Sequence, residues 1–542
     1  MDFYNLMKET QDNVSVTENG AVGYKTTGKE LTDLFFKISS LRNENDADVR
    51  KEFKVLFESN EPYALKLLAY IRDIRGNGLG ERRTFRLALE ELLNHNFEGK
   101  DEFFVKMIVE FIPEFGRYDD MFVFMNTKYE KIVVDFIRAQ LTQDLAYRKE
   151  GKPITLLAKW MPSINTSNKE TVKLARKLAN ALNLSQRDYR KTLSDLRAYN
   201  NIVERQMCAK EWDEIDYNKV PSRANVKYND AFLRNDEQRR RDYLAALRIG
   251  VDKDGNEVKI NSSVNFPHDI LHMYKGERVS YWEMKIKPYD EAIEQLWKNL
   301  KQMDGLKNTI VVRDDSGSML STIGNTNISA YEVATALGIY CAQHNSDAYR
   351  NKIISFSETP RYLDFSKYVS LYDIYNYLNE HSEVANTNIE GVFDLVLRTA
   401  VENNLKPEEL PEQILILSDM EFDSCARDSH DRRGLTPTLF GHISDKYAQY
   451  GYKLPKLVFW NINSRTNTIP VKNNELGVIL VSGFSQGVLT MINEGDLNPY
   501  DAIVKQLDKA RYEDIPLFSI IVKPNSKAKL QDSKKYKSPL ED

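Results

Sequence analysis

Two aspartates, two serines and a threonine carry the clearest chemistry in this 542-residue chain. Asp314, Ser316 and Ser318 alternate within Asp314-Asp315-Ser316-Gly317-Ser318-Met319. One tight turn can therefore aim three side-chain oxygens at a common point, with Gly317 letting the backbone bend sharply. A second acid, Asp419, closes the apolar run Ile414-Leu415-Ile416-Leu417-Ser418, and Thr387 stands in Asn386-Thr387-Asn388 just ahead of a helical pattern. Hard, oxygen-only ligands with few formal charges suit Mg2+, or Mn2+, in octahedral geometry. Three of the five groups are neutral, so a bound ion would keep much of its charge. A coordination position left open would then accept a carboxylate from an acidic partner.

The elements that must position these residues follow from hydrophobic periodicity. From about residue 305 the chain alternates strand and helix. Strands are expected at Asn308–Arg313, Lys352–Ser357, Gln413–Leu417, Lys456–Trp460 and Gly477–Val481. Helices are expected at Ser329–His344, Leu371–Glu380 and Ile389–Asn403. Short apolar runs separated by helices indicate a doubly wound parallel sheet covered on both faces. In such a sheet ligands bind beyond the carboxyl ends of the strands, where Asp314 and Asp419 fall.

The set Asp314, Ser316, Ser318, Thr387 and Asp419 is the metal-ion-dependent adhesion site pattern, and residues 305–525 resemble a von Willebrand factor A domain. The resemblance implies Mg2+ binding and an acidic protein ligand at the metal. Glu421 and Asp423, beside Asp419, are expected to be solvated loop acids.

Residues 28–250 read differently. Leu31–Leu41, Pro62–Arg75, Arg82–Leu93, Glu102–Phe111, Tyr129–Ala146 and Lys169–Leu182 carry apolar residues at helical spacing. Turns at Gly76-Asn77-Gly78-Leu79-Gly80, Pro113-Glu114-Phe115-Gly116 and Met161-Pro162-Ser163 separate them. This predicts an all-α, HEAT-like helical array without a clean repeat period. Residues 1–27 form an N-terminal extension, 251–304 a connector packed against both halves, and 526–542 a basic polar tail. The expected fold class is therefore multidomain, a helical array followed by an α/β domain.

Several strings in the helical half are similar to the TROVE (Ro autoantigen) family: Tyr70-Ile71-Arg72-Asp73-Ile74-Arg75-Gly76 with Gly80-Glu81-Arg82, and Pro113-Glu114-Phe115-Gly116-Arg117-Tyr118-Asp119-Asp120. The whole chain more closely resembles a TROVE-like family of viral and eukaryotic proteins. The strings include Leu157-Ala158-Lys159-Trp160-Met161-Pro162, Tyr189-Arg190-Lys191-Thr192-Leu193 and Ser418-Asp419-Met420-Glu421-Phe422-Asp423. The resemblance implies a ribonucleoprotein role, with structured or single-stranded RNA held on helix faces. Candidate RNA contacts are Arg72, Arg75, Arg82, Arg117, Lys159, Arg190 and Lys191. Although the whole chain carries a net charge of −5, residues 151–200 hold ten lysines or arginines against three acids. Such a surface attracts phosphate backbones or acidic partners.

Other classes are disfavoured. The literal GxSxG at Gly483-Phe484-Ser485-Gln486-Gly487 has no histidine after it, since the last one is His442, so a hydrolase triad in the elbow order is not expected. Gly76–Gly80 lacks phosphate-loop spacing. Cys208, Cys341 and Cys425 are far apart, which excludes CxxC zinc pairs and suits a reducing compartment. No run of about 18 apolar residues occurs, and the N-terminus has the acids and polarity of a mature protein rather than of a secretory signal. A cytoplasmic protein (host cytoplasm if viral) without catalytic residues is expected. The alternative function is a purely protein-binding, metal-dependent assembly module without RNA, and a metal-dependent enzyme ranks third.

Overall fold

The computed structural model of the protein describes residues 3–59, 63–94, 101–260, 262, 265–278, 284–302, 305–346, 348–356, 358–383, 385–423, 439–471, 478–493, 498–513 and 515. The expected basic tail and residues 516–525 lie outside this set.

The first half is helical. Helices at Glu30–Lys37, Ala64–Arg72, Arg83–Leu92, Asp101–Phe115, Glu130–Lys149 and Lys169–Ala181 match the expected periodicity within a few residues, and Asp46–Glu58 and Gln186–Tyr199 are helices it did not mark. Local chemistry fixes several starts: Asn45, Asn168 and Ser185 each accept a backbone N–H of the first turn. One expected turn is part of a helix instead, because Asp101–Phe115 runs through Pro113. In the last turn a proline forgoes a single intrahelical bond, and Gly116 N–H donating to Ile112 O at 2.7 Å closes the end.

Ten strands lie among the described residues. β1 (Val14–Val16) and β2 (Val22–Tyr24) form an antiparallel hairpin, as do β3 (Lys275–Arg278) and β4 (Met284–Ile286). β5 (Thr309–Asp314), β6 (Lys352–Phe356), β7 (Arg361–Asp364), β8 (Gln413–Ser418), β9 (Lys456–Asn461) and β10 (Val478–Ser482) make a six-stranded sheet ordered β10-β9-β8-β5-β6-β7. Every neighbouring pair is parallel except β6–β7. Periodicity had no purchase on β7, because its first two residues are exposed on an edge.

The sheet alternates its side chains between two cores. Val311, Leu415, Val458 and Ile479 enter one hydrophobic cluster; Val312, Ile414, Ile416 and Leu480 enter the other. The helix Ala330–Gln343 is buried along all but its last residue, so it is a central rather than a surface helix. Its start is a capping box between Ser329 and Glu332.

The hydrophobic core crosses the boundary between the helical half and the sheet. The first cluster runs without a break from Leu31 in the helical half, through the sheet, to Ile515. Two glycine-rich segments help to close this join. A Cβ on Gly487 would come within 2.4 Å of Asn77 O, and one on Gly483 within 2.8 Å of Leu79, so Gly76–Gly80 and Gly483–Gly487 interdigitate. Asp73 strengthens the join by accepting hydrogen bonds from Arg511 and Tyr512. The connector does pack against both halves: Arg248 pairs with Glu291, Glu294 accepts the N–H groups of Leu371 and Tyr372, and His272 meets Glu332 at 2.6 Å.

Residues 13–42, which include part of the N-terminal extension, also bond to the sheet half. Tyr24 and Ile469 exchange both backbone hydrogen bonds at 2.8 Å, while Ser39 bonds Asn461 O and the Ser482 hydroxyl at the ends of β9 and β10. No helix among the described residues is long and apolar enough to cross a membrane.

Candidate metal centre

In chain order within the sheet, β5 is the first strand and β8 the fourth, and they lie side by side. The strand order reverses between them, which opens a crevice at their carboxyl ends. Asp314 is the last residue of β5, and Asp419 follows the last residue of β8.

The Asp314 loop is organised by its own side chain. Asp314 Oδ1 accepts the Ser316 N–H at 2.9 Å, a local turn that aspartate favours. The Ser316 and Ser318 hydroxyls lie 3.1 Å apart, and Ser318 hydrogen-bonds Asp419 across the crevice. Ser418, which spacing did not single out, donates to Asp314 Oδ2 at 2.5 Å and so ties the two strand ends together. Met420, directly after Asp419, has φ +64°, an uncommon conformation for a long side chain. Its N–H is held by Ser418 Oγ at 2.9 Å.

The third loop is drawn in by backbone. Gly317 N–H donates to Ala385 O at 3.0 Å, and the Thr387 N–H donates to Asp423 Oδ2 at 3.1 Å. Asn388 then caps the helix Ile389–Glu402 by accepting the Gly391 N–H. The structure thus joins Asp314, Ser316, Ser318 and Asp419 by direct contacts and ties the Thr387 loop to the same turn through Gly317. Asp315 points elsewhere, to Arg313, Ser355, Ser382 and the Glu383 N–H. It braces the loop from the side opposite Asp314.

Asp314 and Asp419 are both 0% exposed. Burial, followed by the Asp419 charge, pushes the Asp314 carboxyl well up; burial also raises Asp419, against the pull of Arg465. Arg465 Nη1 lies 3.2 Å from Asp419 Oδ2, but the same guanidinium pairs with Glu18. Glu421 is a correction to the expectation of a solvated acid. It is fully buried and accepts from the Glu18, Arg465 and Thr466 N–H groups and from Ser464 and Thr466 hydroxyls. Asp423 is half-buried and engaged with the Thr387 N–H.

No cluster of three or more His, Cys, Asp or Glu able to hold a metal lies among the described residues. The donors here are two carboxylates and three hydroxyls. That all-oxygen set, in which Arg465 pairs with only one of the two buried acids, fits a hard divalent cation.

Two family models match the chain. The first, Domain of unknown function (DUF2828), covers residues 126–308 and the second, Domain of unknown function (DUF7788), covers residues 308–535. Their junction falls one residue before β5 begins. The chain is also similar to Uncharacterized protein L728 of Acanthamoeba polyphaga mimivirus, 28% identical over 529 residues. That similarity spans 92% of this chain and 87% of the viral protein, so both halves occur together there.

The basic candidates separate into two groups. Arg72 is only 1% exposed and its Nε donates to Asp120 at 2.8 Å, which removes it from any surface. Arg82 pairs with Asp119, Arg75 reaches Gly116 O at 3.4 Å, and Arg117 stacks 4.5 Å above Trp160 with Lys159 near the same ring. Arg72 and Arg82, together with Arg86, build an ion-pair network around Asp119 and Asp120. The TROVE-like strings in this region thus encode packing as much as surface.

Arg190 and Lys191 differ. They are exposed on the outer face of the helix Gln186–Tyr199 and form no ion pair with a described residue. The neighbouring helix Lys169–Ala181 exposes Lys169, Lys173 and Arg176 at helical spacing, also without ion pairs among the described residues. Arg197, by contrast, is consumed by Ala158 O, Met161 O and Ser163.

Proposed function

We propose that the chain is a divalent-cation-dependent docking protein whose C-terminal half is a von Willebrand factor A-like domain. The contacts among Asp314, Ser316, Ser318 and Asp419, with the Thr387 loop tied to the same turn, carry this reading. Their place at the strand-order reversal supports it, since such crevices are where open α/β sheets bind ligands. Asp314 and Asp419 would hold Mg2+ or Mn2+, with Ser316, Ser318 and Thr387 as neutral donors. A bound ion there supplies a position for the carboxylate of an acidic partner. The chain's own contribution is orientation: Ser418 fixes Asp314, and Asp423 fixes the Thr387 loop. The test is calorimetric titration of the purified full chain with Mg2+ and with Mn2+. Binding that Asp314→Ala leaves unchanged would overturn the reading.

A second role, RNA binding by the HEAT-like helical array, is favoured by the paired basic stripes of helices Lys169–Ala181 and Gln186–Tyr199. Arginine and lysine on such faces hold phosphates, with RNA shape supplying selectivity. Structured and single-stranded RNAs titrated at low and moderate salt decide it. An absence of binding at low salt rules the role out and leaves a purely protein-binding module.

A further inference from the structure

The docking reading requires an incoming carboxylate to reach donors that are buried. Their cover comes from the N-terminal hairpin and one arginine. Between β1 and β2, the tip residues Thr17 to Gly20 lie along Glu421–Asp423: Thr17 Oγ1 donates to Phe422 O at 2.7 Å, and Gly20 bridges Asp423. Asn19 Nδ2 donates to Glu421 O at 2.6 Å and to the Thr387 hydroxyl at 3.3 Å. The Glu18 carboxylate accepts from Arg465 Nε at 2.6 Å, and Arg465 Nη1 reaches Asp419 Oδ2 at 3.2 Å. Two of the five donors are therefore each engaged by a group from outside the sheet strands.

A guanidinium stays charged at any pH the fold survives. Near Asp419 it satisfies a buried carboxylate, but it also repels a second cation approaching the same oxygens. Asn19 likewise directs a donor at a hydroxyl lone pair that a cation would use. Arg465 is 31% exposed and has somewhere to go, because Glu18, at the surface, can keep it without Asp419.

We propose that Arg465, tethered to Glu18, is an internal cation that competes with a divalent ion for Asp419, so that ion binding releases the hairpin tip and uncovers the site. This rests on the assignment of Asp314, Thr387 and Asp419 as metal donors. The closed arrangement is then the ion-free state, and an acidic partner meets an open site only after the ion has bound. A carboxylate arriving there also finds Arg465 at the rim, in competition with Glu18.

The experiment uses the full chain and Mn2+ alone as probe, with calorimetric affinity and hydrogen exchange of residues 14–24 as readouts. Arg465→Gln is expected to bind Mn2+ about three- to tenfold more tightly, the size of a screened like-charge repulsion. Saturating Mn2+ is expected to speed exchange at the tip of the unaltered protein. Asn19→Ala, at an exposed position, should speed tip exchange without any ion and gives a second variant should Arg465→Gln not fold. Equal or weaker Mn2+ binding by Arg465→Gln, or tip exchange unmoved by Mn2+, overturns the latch while Asp314→Ala still abolishes binding. If Asp314→Ala binds Mn2+ as the unaltered protein does, the metal assignment and the latch fall together.

Discussion

Two acid pairs in this molecule, one partly and one fully buried, have opposite electrostatics. Asp119 and Asp120 lie among Arg72, Arg82 and Arg86. Asp419 pairs with Arg465, which Glu18 also claims, and Asp314 accepts from the Ser316 N–H and the Ser418 hydroxyl. Burial pushes Asp120 up, but the charge of Arg72, the Arg117 N–H and the charge of Arg86 overcome it and hold the carboxyl below its usual range. At Asp314 burial and the neighbouring Asp419 both push upward. An acid pair supplied with its own cations is a structural rivet, whereas one left short of cations keeps a demand that an external cation can meet.

The largest effect should come from breaking the rivet. Arg72→Ala leaves Asp120 buried with less compensation and is expected to cost about 3–5 kcal/mol in urea unfolding. Asp314→Asn in chelator should do the reverse and raise stability by roughly 1 kcal/mol, because it removes like-charge repulsion. Equal losses from both substitutions would erase the distinction between the pairs.

Next in size is the response to a divalent ion. Mg2+ at about 100 times its Kd should add about 2.7 kcal/mol to the unaltered protein. It should add nothing to Asp314→Ala, as read by thermal melts in Mg2+ and in chelator.

The pH profiles sharpen the contrast further. The folded pKa of Asp120 is depressed, so its contribution is present above the ordinary aspartate value of 3.8 and is lost as pH falls through the lower folded value. The folded pKa values of Asp314 and Asp419 are raised. In chelator the native state therefore holds protons that the unfolded chain has released, and stability declines as pH rises above 3.8. Asp314→Asn should flatten that upper decline and leave the acid side unchanged, measured by urea midpoints across pH.

The smallest effect should be on the surface. Arg190→Glu with Lys191→Glu should leave stability within about 0.5 kcal/mol. If RNA binds these helices, the log–log salt slope of binding should fall by about 1.5–2. An unchanged slope would remove that face from the RNA reading.

Much of the sheet was legible because strand and helix periodicities are local. Six consecutive buried residues in Gln413–Ser418, or apolar spacing in Ile389–Glu402, mark their elements before any contact is known. β7 was not legible, since an edge strand need not bury its side chains, and Pro113 misled because one proline in a final turn costs little. The basic candidates show the sharpest limit. Arg72 and Arg190 are the same residue type in similarly helical surroundings, but one is sealed against Asp120 and the other faces solvent.

The sequence by itself marked Asp314, Ser316, Ser318, Thr387 and Asp419 as candidate oxygen donors, and the strand ends beside Asp314 and Asp419, because a turn of alternating Asp and Ser after an apolar strand is a local property. The tertiary structure decided that Ser418 links the two strand ends, that Glu421 is a buried hub, and that Glu18, Asn19 and Arg465 cover the crevice. The Ser418 bond spans 104 positions, and the Glu18 and Asn19 contacts to Glu421 and Arg465 join residues more than 400 positions apart in the chain. No periodicity encodes them; they exist because the hairpin returns to the carboxyl end of a sheet whose core is shared with the helices.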